Sequence, residues 1–353
     1  MKYAVADLKK RVNAVPLVLG PEVSTERVLV TGCTGWLGRH VVDELLQRGW
    51  AVVAPIRAAN QIEAWARVPH WAQCARFEAV AVPHLEHTAG FPLVDAVIHI
   101  AADMSLANSL EDAWSSNVKS TQHLFQWARL SGCRRFDFVS TLSVFVASDA
   151  NSGVLYEDQD LDSAGHLYGG YAASKWCAEK WLNLNRFGMN VGIHRLGLLS
   201  YSQRLGWAPT DGVAAWGRAW KQWGKPEWIA PCEQDLVDWT PTEYAARGIV
   251  ESLERNSLGV HHWANTTPTP AEEWCGVFEN LYGQNVGQWP RDELGKRAAR
   301  ALGRWARPNH HSKLWWHDIF QSDRHTYDQE RAQKIGGRVQ WNSTELYQAA
   351  QHL

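Results

Sequence analysis

Residues 27–49 read RVLVTGCTGWLGRHVVDELLQRG, and this stretch decides the fold. Val28, Leu29 and Val30 form a short apolar run that stops at Thr31-Gly32, which predicts a buried strand. Val41, Val42, Leu45 and Leu46 then recur at helical spacing until Gly49. Between them Gly32, Gly35 and Gly38 stand in a GxxGxxG pattern. Such glycines allow a tight turn and a close backbone approach to a pyrophosphate, and the following helix N-terminus offers unpaired N–H groups to the anion. The glycine pattern alone is weak; a strand before it and a helix after it make it a dinucleotide-binding turn rather than a merely structural one.

The same rhythm continues outward. AVVAPIR (51–57), DAVIHIAAD (95–103), FDFVSTLSVFV (136–146) and NVGIHRLGLLS (190–200) read as further strands. Helical patterns such as SLEDAWSSNVKSTQHLFQWARLSG and YAASKWCAEKWLNLNRFG lie between them. Nearly all-apolar strands alternating with helices predict an α/β fold, a Rossmann-type doubly wound parallel sheet covered on both faces. After residue 200 the alternation lapses. A loop feeds a helix starting near Pro241 with Thr240 as its N-cap, GVHHWAN supplies one more strand, and the tail from about 268 is mainly helical. The expected organisation is an arm or linker over 1–25, a dinucleotide-binding domain from 26–200 and 235–265, and a smaller, mainly helical substrate-binding domain from 201–234 and 266–353.

Composition excludes several classes. In 353 residues, 45% are hydrophobic and 20% charged, which marks a globular chain. A formal net charge of −2 with interspersed signs gives no basic patch for nucleic acid or a membrane surface. No apolar run approaches the roughly 18–20 residues of a membrane helix. The first residues lack the features of a signal peptide, and the six cysteines show no CxxC pair, so the chain reads as a soluble cytoplasmic protein with free thiols. No HExxH or Cys/His cluster supports a metal, His261-His262 and His310-His311 notwithstanding, and no GxSxG elbow supports a serine hydrolase. Asp211, Glu227 and Glu233 read as solvated loop residues. The anomaly is 21 tryptophans, many of them late in the chain, a residue suited to grooves and interfaces as well as to ordinary packing.

Chemistry-bearing residues gather at the strand ends. Where an acid holding a ribose 2′-OH would end the second strand, this chain has Arg57, with Arg67 further on; a cation there favours NADP(H), and a plain surface charge is the alternative. Ala101 and Ala102 follow a strand at its carboxyl end, where open α/β sheets bind ligands. Ser140, Thr141 and Ser143 place hydroxyls in an otherwise apolar strand, where an unpartnered one costs on the order of 1–3 kcal/mol. In YAASK, Tyr171 and Lys175 share one helix face, so the ammonium is expected to lower the phenol's pKa and make it a proton donor or acceptor.

Together, TGxxGxxG, the hydroxyl-bearing strand and YxxxK resemble the extended short-chain dehydrogenase/reductases. More particularly, the chain resembles the thioester reductase domains that end nonribosomal peptide and polyketide synthases and occur in carboxylic acid reductases. The likeness runs over about 26–280 and includes VLVTGCTGWLGRHVVDELL, IRAANQIEAWAR, VDAVIHIAAD, SNVKSTQHLFQWA, GGYAASKWCAEKWL, DWTPTEYAARGIV and GVHHWANTTPTP. It departs where Pro83-His84 replace a usual Gly-Asp and where Gly197 replaces a frequent proline.

The resemblance implies that Thr141 orients the substrate carbonyl, Tyr171 supplies a proton and Lys175 holds the nicotinamide ribose. Gly32, Thr34, Gly35, Trp36, Leu37 and Gly38 would hold the pyrophosphate, Arg57 and Arg67 the 2′-phosphate, and Asn117 would support the site. Ala101, Ala102, Ser140 and Leu198 fall near the cofactor, and Met104, Leu142, Ser143 and Trp207 on the substrate side. The implied activity is NADPH-dependent reduction of an acyl thioester on the phosphopantetheine of a carrier protein, or on CoA, to an aldehyde, with a second hydride giving the alcohol. The alternatives are an epimerase or dehydratase of nucleotide sugars or a small-carbonyl reductase, a non-redox condensing variant, and a non-catalytic NADP-binding scaffold or sensor.

Overall fold

A computed structural model of the chain describes residues 2–4, 27–105, 108–146, 153–207, 217–218, 220–222, 224–226, 236–237, 239–267, 269–283, 286–287, 325–339 and 343–352. Most of the expected arm, His310-His311, Cys232, Asp211, Glu227, Glu233 and several late tryptophans (Trp216, Trp223, Trp228, Trp289, Trp305, Trp315, Trp316) lie outside these residues.

The elements run β1 Lys2–Ala4, β2 Arg27–Thr31, α1 Trp36–Gln47, β3 Ala51–Arg57, α2 Gln61–Ala66, β4 Phe77–Val82, β5 Ala96–His99 and α3 Leu110–Ala113. A π-helical stretch, Trp114–Lys119, joins α3 to α4 Ser120–Leu130. Then come β6 Arg135–Thr141, α5 Ser143–Val146, β7 Gly153–Leu155, β8 His166–Tyr168, α6 Gly170–Asn185, β9 Asn190–Leu196, β10 Lys225–Pro226 and β11 Leu236–Val237. The rest are α7 Thr242–Glu254, β12 Gly259–Trp263, β13 Thr269–Pro270, α8 Ala271–Tyr282, β14 Val286–Gly287, β15 His325–Tyr327, α9 Glu330–Gly336 and α10 Ser343–Ala350.

Seven strands form one parallel sheet in the order β12-β9-β6-β5-β2-β3-β4. This is the doubly wound architecture the alternating pattern predicts. Strand order reverses between β2 and β5, and that is where a doubly wound sheet opens a crevice at its carboxyl ends. One face is packed by α1 and α7, with Val41, Val42, Leu45, Tyr244, Ile249 and Trp263 in its core. The other is packed by α4 and α6, through Leu124, Phe125, Trp181 and Leu182 on Phe136 and Phe138. A separate smaller core joins Trp220, Trp239, Cys275, Phe278 and Leu346, so α8 and α10 build the helical C-terminal unit. Helix α9 instead buries Ala332 and Ile335 in the sheet's own core. Among the described residues no helix is long and apolar enough to cross a membrane, and no disulfide joins the cysteines.

Two expectations are corrected. The strand expected to run on to Val146 ends at Thr141, because Thr141 Oγ1 accepts the Ser143 N–H at 3.1 Å and removes that donor from the ladder. Residues 143–146 turn into α5. Thr240 does not cap α7, which starts at Thr242 after Pro241. Its N–H donates to Leu198 O at 2.9 Å and its hydroxyl accepts from Asn265 N at 3.1 Å. The N-terminal segment contributes a strand: β1 pairs antiparallel with β8, directly before α6.

Candidate active site

The glycine turn is built by close contact. Gly32 has φ +75°, and a Cβ on it would lie 2.8 Å from Ala101 N across the β2–β5 switch. A Cβ on Gly38 would lie 2.1 Å from Gly32 O, so helix and strand can meet only through glycine. Gly35 is different: it has an ordinary φ of −79°, and its nearest neighbour would be Gly32 O at 3.2 Å. Little in the chain itself demands glycine there, which fits room kept for an incoming group. No side chain caps the N-terminus of α1 and no acid stands in its first turn. These features fit the pyrophosphate of a dinucleotide. Arg57 and Arg67 are both exposed and adjacent, with Arg67 Nη1 donating to Arg57 O at the end of β3.

Trp36 faces away from solvent-side chemistry. Its indole N–H donates to Thr242 Oγ1 at 3.0 Å, and Thr242 donates on to Ser200 O at 2.7 Å. Its ring meets His40 edge-on at 5.2 Å. Trp36 therefore ties the glycine turn to α7 through its side chain.

Behind the switch point, His99 joins the cofactor turn to the catalytic side. Ile100 and Ala101 N–H both donate to Thr31 Oγ1 at 3.1 Å, so the Thr31 proton is left for His99 Nδ1 at 2.7 Å. His99 Nε2–H then donates to Thr121 Oγ1 at 3.0 Å, and Thr121 donates to Asn117 O at 2.6 Å. Burial, with Lys175 adding to it, pulls the His99 pKa down to about 3, consistent with this neutral tautomer. Asn117 lies within the π-helical stretch, a helix irregularity that often marks functional sites. Its side chain accepts from Asp103 N at 2.6 Å and donates to Asp103 O at 2.9 Å and Ser174 Oγ at 2.8 Å. It thus fixes the loop after Ala101 and Ala102 to α6.

Helix α6 grips the end of β6 with three residues spaced a turn apart. Tyr171 stands beside Thr141, whose side chain acts on the phenol. Lys175 Nζ donates to Val139 O at 2.7 Å and lies 4.6 Å from the centre of the Phe138 ring. Glu179 accepts from Ser140 Oγ at 2.8 Å. Burial pushes the Tyr171 phenol up to about 12, with the Thr141 side chain opposing it. The expectation that Lys175 lowers this pKa is corrected: the ammonium is spent on Val139 O, so the phenol stays protonated and is a proton donor. Burial pulls Lys175 down to about 7, while Glu179 raises it.

Other expected positions are placed as follows. Ser140 donates its hydroxyl to Glu179 at 2.8 Å. Ser143 accepts from Thr141 Oγ1 at 3.0 Å beside the site. Leu142 is buried, whereas Met104 and Leu198 are exposed near the crevice, 50% and 38%. Trp207 packs edge-on against Tyr201, and its indole donates to Ala349 O at 2.9 Å, a structural position in the smaller unit. Sequence reasoning missed His99, Glu179 and Arg195. The readable signals were a histidine inside the apolar run IHI, a glutamate one turn past Lys175, and an arginine in a buried strand.

Comparisons with known proteins agree with this geometry. A family of NAD-binding domains described as "male sterility protein" matches residues 30–90 and 91–249. The chain is similar to a linear gramicidin synthase of Brevibacillus parabrevis, 26% identical over 286 residues, 72% of this chain and 5% of that one. It is similar to the isonitrile lipopeptide synthase of Streptomyces coeruleorubidus, 30% identical over 252 residues, 64% of this chain and 16% of that one. It also resembles the large L-2-aminoadipate reductase chain of Eremothecium gossypii, 26% identical over 309 residues, 76% of this chain and 22% of that one. The chain therefore spans between 5% and 22% of these curated relatives' lengths. Among solved structures, the terminal R domain from the myxalamid PKS-NRPS pathway matches with a TM-score of 0.77 and 21% identity, covering 98% of this chain and 96% of that one. With the glycine turn, the switch-point crevice and the Thr141–Tyr171–Lys175 face all in place, the chain belongs to this NAD-binding male-sterility family, and is an NAD(P)-dependent oxidoreductase of the extended short-chain dehydrogenase/reductase type.

Proposed function

We propose that this protein reduces an acyl thioester carried on the phosphopantetheine of a carrier protein, using NADPH and releasing an aldehyde, which a second round converts to the alcohol. The observation that carries the reading is the neutral Tyr171 beside Thr141 at the carboxyl end of β6, one helical turn from a buried Lys175 that donates to Val139 O. It is supported by the similarity to peptide synthases, to a hybrid PKS-NRPS synthetase of Penicillium oxalicum and to an aminoadipate reductase. The adjacent exposed Arg57 and Arg67 support NADPH over NADH, since two cations at the end of β3 suit a 2′-phosphate. In this reading residues 26–200 and 235–265 hold the cofactor, residues 201–234 and 266–353 hold the acyl chain, and the reaction takes place in the cytoplasm.

Bound at the glycine turn, a reduced nicotinamide would supply hydride. The chain supplies the rest. Thr141 and Tyr171 donate to the acyl oxygen as negative charge develops on it, each good donor being worth about 3–4 kcal/mol. Tyr171 gives its proton to that oxygen, and the hemithioacetal so formed breaks its C–S bond, the hydroxyl proton passing to sulfur, to give aldehyde and free thiol. Lys175, one turn below, would reach the ribose hydroxyls. Asn117 keeps α6 and the 101–103 loop in register while this happens.

The test is product analysis with NADPH or NADH and a panel of acyl-pantetheine thioesters, with a nucleotide sugar and a small ketone as controls. Aldehyde or alcohol with release of free thiol, dependent on NADPH, is the expected result. Turnover of the sugar or ketone with none of the thioester would overturn it.

A further inference from the structure

We propose that Glu179 is a positioning residue of this site: its carboxylate, clamped by Ser140 and Arg195, holds the Lys175 ammonium and the strand end that carries Thr141. The inference rests on the reading of Lys175 as the active-site amine and extends the Tyr171–Lys175 pair by one helical turn.

Residues 171, 175 and 179 lie four apart, so they form one row along α6. The row runs along three consecutive residues of β6: Lys175 donates to the carbonyl of Val139, Glu179 accepts the hydroxyl of Ser140, and Tyr171 stands beside Thr141. Glu179 is completely buried, and so, within 1–2%, are Lys175 and Arg195. Arg195 on β9 donates Nε to Glu179 Oε1 at 2.9 Å, adds a second bond through Nη2, and stacks its guanidinium 4.9 Å from the Phe145 ring. The remaining Arg195 nitrogen, Nη1, reaches His262 Nε2 at 3.2 Å. A carboxylate needed only to neutralise Arg195 would have no reason to take the hydroxyl next to Thr141.

The charges around Lys175 point the same way. His99 on β5 faces it but is neutral, and the Tyr171 phenol on its own helix is neutral as well. Arg195 lies beyond Glu179, and burial beside Arg195 keeps His262 uncharged. Glu179 is then the anion that offsets the burial of the ammonium, whose pKa is already drawn down to about 7. Without it, Lys175 would be the free amine over much of the neutral range.

The experiment follows Lys175 directly by its 13Cε resonance in lysine-labelled protein, assigned by its loss in Lys175→Met. In Glu179→Gln, which keeps shape and removes charge, the titration midpoint should fall by about one pH unit. Glu179→Asp should restore it, and the alkaline limb of kcat/KM should move with it. An unchanged midpoint in a folded Glu179→Gln protein, however much stability it loses, overturns the proposal. Should that variant not fold, Glu179→Gln with Arg195→Met removes both buried charges together; the midpoint should still fall, by less than in the single variant because the repulsion from Arg195 is lost too, and no fall at all overturns the proposal. The resonance reports whether or not any thioester is reduced, so failure of the proposed reaction and failure of this inference are separable.

Discussion

Neighbouring residues on the same three strands build two buried ionic clusters, one on each face of the sheet. Asp137, His194 and His261 point to the α7 face; Ser140, Arg195 and His262 point to the α6 face. On the α7 face Arg135 makes a two-pronged bond to Asp137 at 2.7 and 2.8 Å, His194 donates to Asp137 at 2.9 Å, and Trp263 donates to His194 at 3.0 Å. The two clusters are alike in burial, in charge pairing and in the strands they use. They differ in what leaves them. The α7 cluster closes on itself through Ser252, Asn256 and Ser257. The α6 cluster continues along its helix to Lys175 and Tyr171, and so to the crevice. Buried charge alone therefore does not single out a site; what distinguishes the α6 cluster is that its helix carries Lys175 and Tyr171 on to the sheet's carboxyl end, where the proposed chemistry lies.

The largest effect should break the comparison in favour of the α6 face. Tyr171→Phe removes the proton donor and leaves the packing, so turnover should fall by about a thousandfold or more. NADPH affinity, measured by quenching or calorimetry, should stay within about threefold. Unchanged turnover would remove Tyr171 from the mechanism.

Asp137→Asn is the matching insult on the other face. It leaves the Arg135 guanidinium buried without its anion, a type of change that costs about 3–5 kcal/mol. The urea midpoint should drop accordingly, while kcat of the protein that remains folded should be within about twofold of the parent. A large loss of kcat at full stability would show that the α7 cluster also serves the chemistry.

Acid should then separate the two faces by a measurable slope. Burial holds His99 and His261 at about 3 in the folded chain, whereas an unfolded histidine titrates near 6.5. Between those values the unfolded state binds more protons, so stability falls as pH falls, by up to about 1.4 kcal/mol per pH unit for each histidine. Asp137 acts lower: burial alone would raise it, but Arg135 and His194 draw it down to about 2, so its contribution is lost only from about pH 3.8 down to about 2. Urea midpoints across this range should show the slope, and His261→Gln should flatten it by one histidine's share. A slope unaltered in that variant would mean that His261 is already protonated in the folded chain.

Much of this was legible in the sequence, and the reasons are local. The glycine turn, the apolar strands and the YxxxK face each declare themselves within a dozen residues, and they carried the sheet and the switch point and brought Thr141, Tyr171 and Lys175 forward as candidates. What stayed hidden depends on pairs far apart in the chain: Thr31 with His99, Ser140 with Glu179, Glu179 with Arg195. No periodicity announces that a glutamate within a helix faces a strand hydroxyl 39 residues earlier. Desolvation was equally invisible. The spacing of Tyr171 and Lys175 suggests a lowered phenol pKa, and only the depth of the packing, together with the carbonyl that takes the ammonium, reverses the sign.

The finest test compares one hydroxyl on each face. Ser140 donates to Glu179 at 2.8 Å, and Ser252 accepts from Arg135 at 3.2 Å and donates to Ser257 O at 3.1 Å. Both serines are buried, and either change to alanine should cost about 1 kcal/mol of stability. Their effects on turnover should not match. Ser140 adjoins Thr141, so losing its anchor loosens the strand end against Tyr171, and kcat should fall about fivefold, the equivalent of roughly 1 kcal/mol in the barrier. Ser252→Ala should leave kcat where it was. Equal stability losses with unequal rates would show that position along α6, and not the strength of the individual hydrogen bond, decides which buried serine matters to the reaction. Equal rates would reduce the α6 row to packing and leave Thr141 positioned by its own turn to Ser143.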